Sequence, residues 1–483
     1  MKKIARQCKD DHTAKTKKKQ IKINKIKPLK KIRENVAGID VGAEFHYVAA
    51  PDPKYDGKIV VNRFGSFTTN LNECVNWLKE CNIVSVAMEA TGVYWTILYT
   101  MLKTANIEVI LVNPRDFKKM KDKKTDVSDS EYLQLYHCYG LLEGAIIPEK
   151  KILEIRTFIR LRDQSIADSA SCIQRIQKAL INMNLRLDNV INDVSGVTGM
   201  TIIRAIISGE RDAKKLASYR DRRCKKSEKE IEDSLCGFYQ EDQLFALERA
   251  VRQYDFHLSE IRKCDEIIER KLREFESHEN YVKSQEYLLE SSSKTKRKKD
   301  SKRVCEFSFD LKEELIRITG VDLTLLPAIG VSTAIKLISE TGLDMRVWKS
   351  AKHFCSWLGT AANNKVSGGK VLSKRTKKKK KQAAVTLRMA VSGLHHEHND
   401  TALGAFYRKK RAQIGSPKAI TAGANKLARM YYNTLLTGKP FEEMGAEAYL
   451  ALQKDKYLRR IRRQIKQWGY TITPIESESE DTQ

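Results

Sequence analysis

No apolar stretch in this chain approaches the roughly 20 residues a membrane-spanning helix requires, so no membrane role is expected of it. There is no Cys-x-x-Cys pair either. The ten cysteines are scattered from Cys8 to Cys355 with no hydrophobic signal segment ahead of them, which points to reduced thiols in a cytoplasm. Acidic residues are in short supply, 61 against 89 lysines and arginines. A formal charge of +28 exceeds what solubility needs and favours a polyanionic partner through counterion release, with nucleic acid the first candidate. At 483 residues the chain is long enough for two or three domains whose cores need no metal or disulfide for stability.

Residues 1–34 form a basic arm, "KTKKKQIKINKIKPLKKIR" at its heart, too charged and too poor in large apolar residues to fold alone. From Val36 short β-rich runs follow: "VAGIDVG", "FHYVAAPD", "KIVVNRFGSF", "IVSVAME" and "IEVILVNP". Between the last two, Val93, Ile97, Leu98 and Met101 recur at helical spacing, so 35–148 reads as a mixed α/β sheet domain. Strand signals then thin out. Within 149–289, "ILEIRTFIRLRDQSIADSASCIQRIQKALINMN" and "EDQLFALERAVRQYDFHLSEIRKCDEIIERKLREFE" repeat apolar residues every three to four positions, which predicts long amphipathic helices packed as a hairpin or coiled coil. A polar, basic linker spans 290–305, a mainly helical domain 306–468, and an acidic tail 469–483.

Carboxylates recur at the ends of apolar strands. In "VAGIDVG" the alternation puts Val36, Gly38 and Asp40 on one face, and an ionised carboxylate there should lie near the sheet's edge or bind cations. "IVSVAMEATG" ends its strand in Glu89. "KKTDVSDSEY" carries Asp126 and Asp129 on one helix face if Asp126 opens the helix. Taken singly, each is as well explained by a cap or a strand terminus. Together, four carboxylates from two strands and a helix start suit one or two hard divalent cations such as Mg²⁺, which can stabilise both the attacking and leaving oxygens of a phosphodiester.

"NKVSGGKVLSKRTKKKKKQ" is too rich in glycine and lysine to form core. Ser367 there is either a loop residue of a phosphate-binding segment, with Gly368 and Gly369 letting backbone approach DNA, or a nucleophile whose target phosphate Lys370, Lys374 and Arg375 would neutralise. Ser373 is the nearby decoy. "LPAIGVSTAIKLISETG", 326–342, has the turn of a helix-hairpin-helix. "HHEH", 395–398, with Tyr407 nearby, lacks a third ligand at zinc-finger spacing and reads as a solvated helix end. The lysine run 377–381 is solvated or on phosphate, and Trp95, Trp348 and Trp357 read as core anchors.

Taken in order, "VAGIDVG", "AMEATGVYW", "VNPRDFKKMKDKKTDVSDSEYL", "FCSWLGTAANNKVSGGKVLSKRT" and "LGAFYRKKRAQIGSPKAITAGANKLARMYYNTL" resemble the insertion sequence 110 family of DEDD transposases over nearly everything from Val36 to about Tyr470. The resemblance implies an RNase H/RuvC-like N-terminal domain, a long helical coiled-coil middle and a mainly α C-terminal transposase domain. It places the tetrad on Asp40, Glu89, Asp126 and Asp129, with Ser130 where the family pattern has alanine, and makes Ser367 the nucleophile of a covalent phosphoserine–DNA intermediate. It further implies Mg²⁺, donor and target double-stranded DNA, a structured bridge RNA as guide, a dimer or tetramer in the synaptic complex, and a prokaryotic, nucleoid-associated setting. Lys123 and Lys124, beside the third carboxylate, join the expected nucleic-acid contacts. Two other readings stay open: a RuvC-like junction resolvase that hydrolyses with water, and a non-enzymatic DNA-bridging protein.

Overall fold

The structure, a computed structural model, describes residues 30–114, 126–281, 306–373, 375–376, 381–396 and 400–471. The basic arm up to residue 29, Lys123, Lys124, the whole linker 290–305, Lys374, residues 377–380, Glu397, His398 and the acidic tail from 472 lie outside them. The chain divides into two compact units, Met1–Ile146 and Ile147–Gln483.

In the first unit five strands form one mixed sheet: β1 (Val36–Val41), β2 (Phe45–Asp52), β3 (Lys58–Gly65), β4 (Ser85–Glu89) and β5 (Glu108–Val112), in the order β3-β2-β1-β4-β5. β1 to β3 run as an antiparallel meander, while β4 and β5 pair parallel to β1 and to each other. Each strand falls on one of the apolar runs picked out in the sequence. The two faces are covered differently. Ile39, Val48, Val86 and Met88 are buried on the side that receives Leu71, Cys74, Val75 and Leu78 of helix α1 (Thr68–Glu80) and Leu98 and Leu102 of α2 (Trp95–Thr104). Helix α3 (Asp126–Cys138) covers the other face, where Leu133 packs with Ala87 and Val112. This strand order, with helices on both faces, fits an RNase H-like fold.

The structure removes one alternative and corrects one expectation. Of the two settings expected for Asp40, the sheet's edge falls away: β1 is the middle strand of five, and Asp40 is its next-to-last residue. The core face of α2 also differs from the expected stripe. Val93 precedes the helix and is 76% exposed, Ile97 is 59% exposed, and Leu98 and Leu102 face inward instead. Because α2 begins only at Trp95, its angular phase is set by which residues meet α1 and the sheet.

In the second unit α4 (Lys150–Asn182) and α9 (Glu241–Arg273), 33 residues each, lie antiparallel along their length. Asn182 meets Gln243 at one end, and Lys271 meets Glu154 at the other. Their apolar stripes, Ile152, Ile155, Ile159 and Ile176 against Val251, Ile261, Ile268 and Leu272, are buried as the period of three to four requires. Short helices α5 (Leu187–Val190), α6 (Val197–Ile207), α7 (Ala213–Ala217) and α8 (Glu228–Ser234) cap the hairpin over a core that includes Met183, Ile203 and Leu216.

Among the described residues the rest is helical apart from one hairpin: α10 (Leu311–Thr319), α11 (Val331–Thr341), α12 (Ala351–Leu358), strands β6 (Lys365–Ser367) and β7 (Lys370–Ser373), α13 (Gln382–Ser392), α14 (Ala402–Ile414), α15 (Ser416–Thr437) and α16 (Ala446–Gln467). Trp348 is buried, with ring centroids 4.8 Å from Phe354 and 5.0 Å from Trp357, in keeping with a core anchor. Trp95 is only half-buried. Tyr407 is 2% exposed, which removes it from any role as a surface nucleophile.

Candidate active site

The first group of site residues is assembled by the sheet register. Ile39 of β1 stands opposite Met88 of β4 in a parallel pair. One step on, Asp40 is beside Glu89, and partners in register project to the same face. Gly38 and Asp40 share that face, and it is the face α3 covers. A Cβ at Gly38 would run into the carbonyl oxygen of Ser130 and the backbone nitrogen of Gln134, so only glycine lets the helix lie this close to β1. The first turn of α3, which begins at Asp126, is thereby carried over the strand end that bears Asp40.

Glu89 is 5% exposed, and its Oε1 accepts a hydrogen bond from the Thr91 hydroxyl at 3.0 Å. Beyond it the Ala90 N–H donates to the Val112 carbonyl at 2.9 Å, so the last carboxylate of β4 sits on a tied strand end and not on a free loop. Asp40 and Asp129 are half-buried, and Oδ1 of Asp129 is withdrawn from solvent. Asp126 is the first described residue of α3, and its side chain lies outside the described residues.

Three ties fix the depth of α3. Gln134 Nε2 donates to the Val36 carbonyl at 3.3 Å. His137 is 1% exposed, with Nε2 at 2.9 Å from the Ser85 hydroxyl and Nδ1 at 3.2 Å from an Arg33 nitrogen. A guanidinium can only donate, so Nδ1 accepts and the proton resides on Nε2, which donates to Ser85. Burial, reinforced by the Arg33 charge and opposed by Glu108, pushes the His137 pKa down to about 4. The ring is therefore neutral at ordinary pH, as that tautomer requires.

Oxygen donors of this kind are the ligands hard divalent cations select. Among the described residues, however, no group of three His, Cys, Asp or Glu side chains stands together closely enough to hold a metal ion. The register sets Asp40 beside Glu89, while Asp129, on the opening turns of α3 over the same face, is not gathered with them into a set of three. Carboxylate donors are of the kind Mg²⁺ selects, and the Asp126 side chain lies outside the described residues.

Ser367 belongs to the second unit, on a device the sequence reading took for a loop. β6 and β7 pair antiparallel with Ser367 opposite Lys370, and Gly368 and Gly369 between them have φ of 53° and 76°. Two left-handed residues in a two-residue loop are what a type I′ hairpin demands, and glycine adopts them without strain. The ladder continues through the Asn363 N–H to the Arg375 carbonyl at 3.1 Å and the Ala362–Thr376 bridge. Ser367 is exposed at the tip, beside the exposed Lys370. Ser373, at the base, accepts a hydrogen bond from the Arg375 N–H at 3.3 Å. Nothing surrounds the two glycines within 4 Å of where a side chain would start, so the tip is open to a large ligand.

Within the stretch 326–342, expected to hold the turn of a helix-hairpin-helix, residues 326–330 lead into α11, and the preceding helix α10 ends earlier, at Thr319. The left-handed residue of the turn is Ala328, φ 63°, while Gly330 caps α11 in extended conformation. Sequence reasoning missed Thr91, His137 and the packing role of Gly38. The Gly-x-Asp alternation in "VAGIDVG" was the available signal for the last.

Comparison with known families finds two matches, in chain order. A transposase model, the DEDD transposase of the IS110 type, matches residues 37–184 and so includes Asp40, Glu89, Asp126 and Asp129. A second, the transposase of the IS116/IS110/IS902 family, matches residues 322–408 and includes the Ser367 hairpin. None of the curated proteins matches the chain. With one model on the carboxylate sheet and the other on the serine hairpin, the chain belongs to the IS110 family of transposases.

Proposed function

We propose that this transposase cuts and rejoins DNA through a serine nucleophile assisted by a carboxylate-held divalent metal. The observation that carries the reading is the exposed Ser367 at the tip of a two-glycine hairpin beside Lys370, in a chain whose other unit sets Asp40 and Glu89 side by side. Asp40, Glu89, Asp126 and Asp129 would hold Mg²⁺, which when bound supplies positive charge to the scissile phosphate. Ser367 Oγ forms a bond to phosphorus as the bond from phosphorus to the leaving sugar oxygen breaks. Its proton passes to solvent, and the leaving oxygen takes one up. Attack of a sugar hydroxyl on the phosphoserine reverses the step and rejoins a strand. Lys370 and Arg375 offset the charge that builds on the phosphate, and Gly368 and Gly369 let the backbone come close to it.

Guidance by a structured bridge RNA, a dimeric or tetrameric synaptic complex and a nucleoid setting are carried over from the family resemblance, and the net charge of +28 supports a nucleic-acid partner. Ser367→Ala is expected to abolish a denaturation-resistant protein–DNA adduct while DNA binding persists, and Ser373→Ala to retain the adduct. If Ser367→Ala still cleaves with its usual yield, the enzyme hydrolyses with water as a junction resolvase does. If Asp40→Ala changes nothing and Mg²⁺ is dispensable, the protein is a DNA-bridging one.

A further inference from the structure

Helix α16 lies outside both stretches matched by the family models. It is mounted at its start only: Ala446 is its one buried residue, its N–H meets the Asp400 carboxylate, and Lys426 lies over the Tyr449 ring at 4.2 Å. From Lys454 onward every described residue is exposed except Ile461 and Ile465, which are half-buried.

That free length carries a charge its own chain does not balance. Lys454–Lys466 holds seven lysines and arginines against a single acid, Asp455. Asp455 is engaged by Arg459, one turn on, at 2.7 Å. Like charges three and four apart weaken a helix, so local stability does not account for this pattern. Part of this charge is gathered on one face. At 100° per residue, Lys456, Arg460 and Arg463 fall within one narrow stripe, with Gln464 and Gln467 beside it, and these residues line one shallow concavity. Tyr457, Leu458, Ile461, Ile465 and Trp468 lie on the opposite side.

We infer that the Lys456–Arg460–Arg463 stripe of α16 is a docking surface for the phosphate backbone of duplex DNA. The three side chains span seven residue steps, roughly 10 Å of helix, which matches about three steps along one strand at roughly 3.4 Å of axial rise each. Among the described ion pairs none engages these three with an acid. A second copy of the same helix would meet like charge with like. The stripe offers point charges and no carboxylate or ring to read bases, so its contribution is independent of sequence and sensitive to salt. The choice of DNA rests on the DNA-acting part of the proposed function but on neither Ser367 nor the carboxylates.

The test uses the full chain in EDTA, so that no strand is cut, and an arbitrary DNA duplex titrated over a range of salt concentrations. Replacing all three residues, K456Q with R460Q and R463Q, should lower the magnitude of the slope of log K against log salt by about 2 to 3, roughly 0.9 per lost contact. R463Q alone should lower it by about 1. A charge-preserving set, K456R with R460K and R463K, should keep the slope, and far-ultraviolet circular dichroism should be unchanged in all. An unchanged slope in the triple variant overturns the inference. So does a loss confined to a structured RNA hairpin, to vesicles of equal parts phosphatidylcholine and phosphatidylserine, or to the sedimentation mass. Because no chemistry occurs, an unchanged slope would leave the serine mechanism standing, and failure of the serine assignment would leave this result intact.

Discussion

Gly38 of β1 lies directly beneath the backbone of Ser130 in α3, and the missing side chain is what lets the helix rest on the central strand. Gly38 sits two residues before Asp40 and Ser130 one residue after Asp129. The contact that fixes the helix height therefore also fixes how far its first turn stands from the carboxylate pair on the sheet.

Gly38→Ala should consequently damage both stability and chemistry. The obstructing atoms are main-chain, so the strain cannot be relieved by a rotamer change, and a cost of about 1–3 kcal/mol or more is expected. Thermal unfolding should show the loss. Metal-dependent strand cleavage should fall more steeply than the folded fraction, because the helix that survives sits too high.

His137 gives the first unit a pH dependence whose sign follows from its lowered pKa. Unfolded, the ring takes a proton near its ordinary value of 6.5; folded, it does so only near about 4. Between those limits the unfolded chain binds more protons, so stability is full above about pH 6.5 and drains away as pH falls towards 4, by up to about 3 kcal/mol. His46, buried on the opposite face of the sheet with its pKa lowered by desolvation, adds in the same direction. Urea unfolding at pH 7 and pH 5 should differ accordingly. His137→Gln, which can still bond to Ser85, should flatten the difference.

The five strands could be read from the sequence because each carries a short run of Val, Ile, Ala, Met or Phe near a Gly, Pro or Asn, even in β3, an edge strand with charged and amide residues and no buried position. The Asp40–Glu89 pairing could not, since register between strands some fifty residues apart is set by packing. Helix α1 was overlooked although Leu71, Cys74, Val75 and Leu78 hold the helical spacing, because a charged, amide-rich sequence dilutes the stripe. At Ser367 composition misled: "GG" flanked by "KVS" and "KVLS" is a hairpin signal, but the surrounding glycines and lysines suggested a phosphate-binding loop.

Arg162 and Asp265 are 2% and 1% exposed and form an ion pair between α4 and α9. The same two residues hold the chain at 306–308: Arg162 donates to the Glu306 carbonyl and lies 3.7 Å over the Phe307 ring, and Asp265 accepts from the Ser308 N–H. Asp265→Ala, which leaves a buried guanidinium without its carboxylate, should cost about 3–5 kcal/mol. Arg162→Met combined with Asp265→Leu should recover most of that in chemical denaturation. Limited proteolysis should still cut the double variant faster around Phe307, since the tether is gone.

Magnesium should be replaceable in a graded way. Mn²⁺, which also takes oxygen ligands, should support adduct formation, whereas Ca²⁺, with its longer bonds and looser geometry, should support DNA binding with little cutting. Glu89→Gln should abolish cutting with every metal while leaving the salt dependence of DNA binding unchanged.

The most direct measurement maps the residue joined to DNA. Full-length protein is incubated with duplex DNA and Mg²⁺, quenched in denaturant and digested with nuclease and protease, and the nucleotide-bearing peptide is sequenced by mass spectrometry. The nucleotide is expected on Ser367. A nucleotide on Ser373 or Tyr407, or cut DNA with no protein attached at any time point, would contradict the account.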